Sequence, residues 1–198
     1  MWGCHGSVST VTKYTANKAK TWNGAYASAA TYHKFEGSVG AVMEYTADQM
    51  KTEKQLYVTG VNCSDEPSVA ARQFMQTKKT FGKTDGLQCM HGYQSFKPGE
   101  VTPEVAHKIG LELAKRVWGD KFEVLVSTHV NTGAIHNHFV LNSISFMDGS
   151  RYLCNQKSYR VMRTESDKLC REFGMSVVEN PKNKRTNRYI ALLHREQE

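Results

Sequence analysis

The sequence contains no hydrophobic run that approaches the length of a membrane span. Its first residues lack the charged region and following apolar stretch that are typical of a signal peptide. The five cysteines are odd in number, widely spaced and free of any Cys-x-x-Cys pair, which excludes the usual structural zinc site and favours reduced thiols. We therefore expect a cytoplasmic protein without membrane insertion.

Acidic residues are also fewer than basic ones. The chain has 19 Asp and Glu against 26 Lys and Arg, which gives a formal net charge of +7. Such a balance favours a polyanionic partner such as nucleic acid. The 198 residues are enough for one domain with a substantial core, with room for a small appendage.

A regular strand–helix–strand alternation is missing as well, which argues against a parallel sheet. The sequence predicts strands over 56–63, over 87–96 and on both sides of 130–134, and helices after Pro67 and Pro103 and over 157–173. Residues 23–33 and the basic segment 78–86 are predicted to be loops. The expected fold class is α+β, with a single, mostly antiparallel sheet flanked by helices.

Three of the eight histidines fall within ten residues, as His129, His136 and His138. Turn-forming residues separate the two strand-like segments that carry them, so a β-hairpin is expected. His136 and His138 are two apart and face the same way on a strand. Three imidazoles could then converge on one face, which points to a divalent metal site with open coordination positions.

A repeat near the start of the chain offers two candidate tyrosines. The pattern Tyr-Thr-Ala-x-x-x-Lys-Thr occurs at Tyr14 and again at Tyr45, after a Gly-Ser pair in both copies. Ser at a helix N-cap predicts a short helix that carries its tyrosine near the C-terminal end. A tyrosine hydroxyl can act as an oxygen nucleophile once a base or a positive centre activates it.

These features together resemble the relaxases, the mobilisation nucleases of conjugative plasmids and integrative elements, of the type grouped with the border endonuclease of plant-transforming bacteria. The resemblance covers roughly residues 37–180 and rests on three motifs in order. They are the segment from Gly37 through Tyr45 to Cys63, the run Gln94-Ser95-Phe96-Lys97-Pro98-Gly99-Glu100, and His129 with His136-Asn137-His138. The segment Ser166-Asp167-Lys168-Leu169-Cys170 is similar to relaxases of Gram-positive bacteria.

The resemblance implies a fold like that of the histidine-hydrophobic-histidine nucleases. It implies that Tyr45, or alternatively Tyr14, is the catalytic nucleophile, and that His129, His136 and His138 hold Mg²⁺ or Mn²⁺. Ser95 would contact DNA beside the cleaved phosphate, and the other candidates for DNA contact are His91, Lys97 and Lys83. His91 is equally well explained as a structural residue, and Lys83 as part of a solvated connector.

The implied activity is metal-dependent nicking of one DNA strand at a transfer origin, through a 5′-phosphotyrosine intermediate that is later resealed. Single-stranded origin DNA is the expected partner, together with an accessory DNA-binding protein and a coupling protein, in a bacterial cytoplasm. Residues 1–180 are expected to form the catalytic domain, with 1–36 as an N-terminal extension. Residues 181–198 are expected to be a basic linker and the start of a further region of a longer protein.

Asn137 differs from the pattern of the wider superfamily that the chain resembles, which prefers an apolar residue between the paired histidines. It is expected to point away from the histidine face. Glu100 is a candidate auxiliary acid or helix cap, and His107 is expected to be structural. The alternatives are a rolling-circle replication initiator or transposase of the same superfamily, a non-catalytic DNA-binding module, and a metallohydrolase that cuts without a tyrosine.

Overall fold

The computed structural model of the protein describes residues 25–33 and 37–179. One antiparallel sheet in the order β1-β3-β5-β4-β2 is flanked by helices. In chain order the elements are β1 (Tyr26–His33), α1 (Gly37–Thr46), β2 (Val58–Val61), α2 (Pro67–Thr80), β3 (Cys89–Ser95), α3 (Pro103–Trp118), β4 (Val124–His129), β5 (His136–Asn142) and α4 (Gln156–Glu172). The predicted α+β class with a single antiparallel sheet is confirmed.

Both faces of the sheet are covered, so the protein has two hydrophobic cores. Side chains alternate between the faces of a strand, and neighbouring residues of β4 and β5 therefore enter different cores. The core beneath α1 and α2 contains Val42, Phe74, Leu125 and Val140. The core beneath α3 and α4 contains Ile109, Leu113, Val126, Phe139 and Leu169. Across the described ranges, no helix is both long and apolar enough to cross a membrane.

Local contacts define the ends of two of the predicted helices. Thr102 caps α3 by accepting a hydrogen bond from the Val105 backbone N–H, and Pro103 occupies the first turn. Asn155 and Ser158 form a reciprocal capping box at the start of α4. Gly174, just past the end of α4, has a positive φ of 73° that favours glycine. These local signals explain why both predicted helices are confirmed.

The expectation of a loop over residues 23–33 is wrong, because Tyr26–His33 forms the edge strand β1. This strand pairs antiparallel with β3, from Tyr26 opposite Ser95 to His33 opposite Cys89, with one irregularity between Ala29 and Thr31. The central residues of the strand, Ala27 to Ala30, carry little strand propensity of their own. The free edge of β3 decides the conformation, since strand preference depends strongly on the neighbouring strand.

The expected basic loop over 78–86 is wrong at its beginning. Helix α2 continues to Thr80, and the Lys78 side chain is fully buried. Lys78 donates a hydrogen bond to Asn142, whose amide in turn donates to the Glu123 carboxylate at 2.5 Å. Burial lowers the pKa of Lys78 to about 8. A buried amine needs such partners, because an unpaired charge in a core is costly.

His107 is structural, as expected. Its Nε2 lies 2.9 Å from Thr59 Oγ1, and its Nδ1 lies 2.8 Å from Thr128 Oγ1. The Thr128 hydroxyl donates its only hydrogen to Asn137 Oδ1, so its oxygen must accept a hydrogen bond from His107 Nδ1–H. Nε2 therefore accepts from Thr59, and burial lowers the pKa of His107 to about 4.

Acid is expected to destabilise the protein through His107. Because its folded-state pKa lies below the ordinary 6.5, the folded protein binds fewer protons than the unfolded chain between pH 6.5 and 4. The stabilisation is complete above pH 6.5 and is lost as the pH falls towards 4. When the pH is lowered from 7 to 5, the free energy of unfolding of His107→Gln should fall by about 2 kcal/mol less than that of the unchanged protein. Urea unfolding of both proteins at the two pH values measures this difference. An equal loss in both proteins would contradict this assignment.

Candidate metal and nuclease site

Three imidazoles converge on the face of the sheet that α1 and α2 cover, as the sequence predicts. His129 ends β4 and stands directly opposite His136, the first residue of β5. The ring centroids of His129 and His138 are 4.2 Å apart, and those of His136 and His138 are 5.0 Å apart. One ring nitrogen from each of the three histidines lies within 4.8 Å of the others, which is close enough to share a metal ion.

Each of the three rings has one nitrogen held by a neighbour. His129 Nε2–H donates to the Thr46 carbonyl (2.8 Å), and His136 Nδ1–H donates to the Ala134 carbonyl (2.9 Å). His138 Nδ1 lies 2.7 Å from His91 Nε2. Metal-binding histidines are usually oriented in this way, through their other ring nitrogen. The bonds leave His129 Nδ1, His136 Nε2 and His138 Nε2 as the nitrogens that could bind a cation.

The cluster is built for neutral imidazoles. Burial, and then the nearby His136, lowers the pKa of His129 to about 3. Burial also lowers the pKa of His136, and burial with the surrounding histidines lowers that of His138. Because a neutral imidazole keeps the lone pair that a metal needs, all three are in the ligand form at neutral pH.

Polar atoms without partners line the same face. Among the described residues, His138 Nε2 is buried and has no hydrogen-bond partner, and neither do the hydroxyls of Ser95 and Ser127. Ser95 pairs in register with His136, and Ser127 with His138. Buried polar groups nearly always have partners, so this concentration indicates a place for a ligand. The chemistry of the donor set and the orphaned nitrogen both fit a divalent metal ion.

Helix α1 brings Tyr45 to this cluster. Tyr45 is the second-last residue of α1, near its C-terminal end as predicted, and is half-buried. Its ring centroid lies 6.2 Å from that of His129 and 6.5 Å from that of His138, edge-on to both. The next residue, Thr46, supplies the carbonyl that accepts a hydrogen bond from His129, so the end of α1 carries the tyrosine and orients one of the histidines.

Other candidate residues fall at different distances from the cluster. His91 contacts His138 directly and Ser95 stands beside His136, whereas the exposed Lys97 follows β3 at this end of the sheet. Lys83 donates to the Gly149 carbonyl (2.6 Å), in the loop leading to the opposite end of β3. Tyr14 and the helix that the sequence predicts around it lie outside the described residues.

Glu100 neither caps α3 nor joins the cluster. Its carboxylate accepts hydrogen bonds from the backbone N–H and the hydroxyl of Ser176 (2.9 and 2.8 Å). It therefore ties the loop before α3 to the segment after α4, a contact that no local sequence pattern indicates.

Lys51 is the residue that sequence reasoning missed. Its Nζ lies over the ring of Tyr45, 3.7 Å from the centroid. The signal was present, because the repeated pattern Tyr-Thr-Ala-x-x-x-Lys-Thr pairs each tyrosine with a lysine six residues later. Without the fold, this spacing does not show that the ammonium returns to its tyrosine.

Asn137 points away from the histidines, as expected, into the core beneath α3. Its amide donates to Gln94 Oε1 (3.0 Å) and to the Ala106 carbonyl (2.7 Å), and its Oδ1 accepts from Thr128 (2.6 Å). Gly110 gives it room, because a Cβ there would lie 2.5 Å from the Asn137 amide nitrogen. An amide thus stands where an apolar residue was expected, without disturbing the face that carries the histidines.

We expect Asn137→Leu to reduce the free energy of unfolding by about 3 kcal/mol or more, because it leaves several buried polar groups without partners. Asn131→Leu, in the exposed turn between β4 and β5, is the matched control and should change stability by about 0.5 kcal/mol or less. Urea unfolding of both variants measures the difference. Equal stability of the two would show that the amide contacts contribute nothing.

The sequence is similar to those of known relaxases. The model of the family "Relaxase: MobA/VirD2-like, nuclease domain" matches residues 45–175. A protein named Protein rlx from Staphylococcus aureus is 42% identical over 121 residues, covering 61% of this chain and 38% of that protein. The group II intron-interrupted relaxase LtrB of Lactococcus lactis is 29% identical over 111 residues, covering 49% of this chain and 20% of that protein.

A second Staphylococcus aureus protein named rlx is 40% identical over 121 residues and is covered to 37% of its length. The chain therefore matches less than half the length of these relatives. No solved structure matches the chain. The matched region 45–175 includes Tyr45 and all three histidines, so the comparison covers the whole cluster described above.

Proposed function

The chain belongs to the MobA/VirD2-like relaxase nuclease family, and from this premise we propose that it nicks one DNA strand at a transfer origin and joins itself to that strand through Tyr45. The observation that carries the proposal is the position of Tyr45, edge-on to two histidines of a buried, neutral three-histidine cluster. The proposed substrate is single-stranded origin DNA, and the net charge of +7 suits such a polyanion. An accessory DNA-binding protein and a coupling protein are the further partners we propose.

The proposed reaction is a transesterification. The Tyr45 hydroxyl attacks the phosphorus, a bond from the phenolic oxygen to phosphorus forms, and the bond from phosphorus to the 3′ oxygen breaks. The phenol loses its proton and the 3′ oxygen leaves as a hydroxyl, so protons and charge balance. The phosphotyrosine retains the energy of the phosphodiester, and the reverse reaction can reseal the strand without ATP.

His129, His136 and His138 would hold the cation. A divalent metal ion bound there would polarise the phosphate and stabilise the negative charge of the transition state. Of the two expected ions we favour Mn²⁺, because Mg²⁺ prefers oxygen ligands and this donor set consists of imidazole nitrogen. Ser95, which stands opposite His136, is proposed as a DNA contact. His91 is proposed as the partner that orients His138.

The decisive test is covalent capture. The protein is incubated with Mn²⁺ and an oligonucleotide that covers the transfer origin of its genetic element, labelled at the 3′ end, and is then run on a denaturing gel. We expect a labelled species joined to protein that disappears when EDTA is added. Cutting without joining would instead support a metallohydrolase, and binding without cutting would support a non-catalytic DNA-binding module.

A further inference from the structure

Lys51 lies in the candidate nuclease site although no part of the proposed reaction yet uses it. Its ammonium stands over the face of Tyr45, 3.7 Å from the ring centroid. The Tyr45 ring in turn lies edge-on to His129 and His138, with ring centroids 6.2 and 6.5 Å apart. The ammonium is therefore close to both the tyrosine and the cluster.

The backbone holds Lys51 in this position. The Lys51 carbonyl accepts a hydrogen bond from the backbone N–H of Val130, the residue that follows His129 (2.8 Å). The next residue, Thr52, is fully buried and donates to the Asp48 carbonyl (2.8 Å). Glu53, Lys54 and Gln55 then take three consecutive positive φ values of 51°, 56° and 67°. This conformation is unfavourable for residues other than glycine, and it persists because the surrounding bonds impose it.

The charge of Lys51 has only weak compensation within the protein. The nearest carboxylate, Asp48, is 3.9 Å away and partly exposed, and the Tyr45 carbonyl is 3.5 Å away. If the cluster holds a divalent cation as proposed, the Lys51 ammonium beside it is repelled, because like charges at short range destabilise each other. An anionic group bound between them would remove this repulsion, and a DNA phosphate is such a group.

We infer that the Lys51 ammonium binds a non-bridging oxygen of the phosphodiester that Tyr45 attacks, and that Lys51 is thereby a second catalytic residue from the same segment. This inference rests on the proposed function. The ammonium lies 3.7 Å from the centroid of the Tyr45 ring, and the hydroxyl of the same side chain must meet the phosphorus. The Lys51 contact neutralises charge that increases in the transition state, and it fixes the phosphate for attack.

A charge-deletion cycle tests this contact. Binding is measured by fluorescence anisotropy in the Tyr45→Phe background with Mn²⁺, so that no joining occurs. One oligonucleotide carries the normal origin sequence, and the other carries a neutral methylphosphonate at the cleaved position only. Lys51→Met should weaken binding of the normal oligonucleotide about tenfold, the effect expected for one charge-assisted hydrogen bond, and binding of the methylphosphonate less than about twofold.

Lys54→Met is the matched control, because Lys54 is an exposed lysine three residues away in the same loop. It should affect the two oligonucleotides equally. Lys51→Arg should retain most of the discrimination, since it keeps the charge. Equal weakening of both oligonucleotides by Lys51→Met, or no weakening, would overturn the inference.

Single-turnover joining separates this inference from the proposed function. With Tyr45 intact, we expect Lys51→Met to join DNA about a hundredfold more slowly than the unchanged protein, at saturating oligonucleotide. Joining at the unchanged rate would remove Lys51 from the reaction and leave the proposed function standing. Failure of the unchanged protein to join any DNA would overturn both. Thermal unfolding of Lys51→Met checks that the fold is retained.

Discussion

Tyr45→Phe is expected to abolish covalent joining to origin DNA, by a factor of about a thousand or more, because it removes the phenolic oxygen that we propose forms the ester with phosphorus. The substitution keeps the ring that packs beside His129 and His138 and beneath Lys51. Binding of the same oligonucleotide should therefore change little. Joining is measured on a denaturing gel and binding by anisotropy, in the same buffer with Mn²⁺.

Tyr14→Phe is the matched control, because Tyr14 occupies the same place in the repeated pattern. Joining should continue at the unchanged rate in this variant. Loss of joining in Tyr14→Phe alone would leave the reaction intact and transfer the role of nucleophile to Tyr14. Equal losses in both variants would mean that neither assignment is sufficient.

Removal of one histidine ligand is the other large effect we expect. His138→Ala should weaken Mn²⁺ binding at least about a hundredfold, because it takes away one of three ligands and the nitrogen that has no other partner. Titration followed by calorimetry or by the electron paramagnetic resonance of free Mn²⁺ measures the affinity directly. Metal-dependent joining should fall in parallel.

Two further variants serve as controls for the loss of Mn²⁺ affinity. His91→Gln should weaken Mn²⁺ binding about tenfold, since it disturbs only the residue that orients His138. His107→Gln should leave the affinity unchanged, because His107 lies on the other side of the sheet with its two threonine partners. Unchanged Mn²⁺ affinity in His138→Ala would exclude the three-histidine site.

Local patterns in the sequence were sufficient for the centre of the site. The spacing of His136 and His138, with a turn before them, predicts that both face the same way, because side chains alternate along a strand. The same alternation places Asn137 in the opposite core, and the structure confirms it. Pro103 at the start of α3 and Gly174 just past the end of α4 similarly mark two helices through effects that act within a few residues.

The surroundings of the site could not be predicted in this way. The centre of strand β1, Ala27 to Ala30, has little strand propensity of its own, and the strand forms on the free edge of β3. Lys78 lies within a basic sequence yet is buried against Asn142, 64 residues later. Glu100 bonds Ser176 across a comparable separation. Each of these contacts depends on which distant segments the folded chain brings together.

The sequence by itself determined the α+β class, the histidine hairpin, a tyrosine near a helix end and the resemblance to relaxases. All of these follow from periodicities and motifs that operate over short stretches of chain. Tertiary structure alone decided that Tyr45 meets the histidines, that Thr46, Ala134 and His91 orient them, and that Lys51 returns to its tyrosine. The physical reason is that these contacts join different elements. Their geometry arises when α1 and the loop after it pack against the sheet.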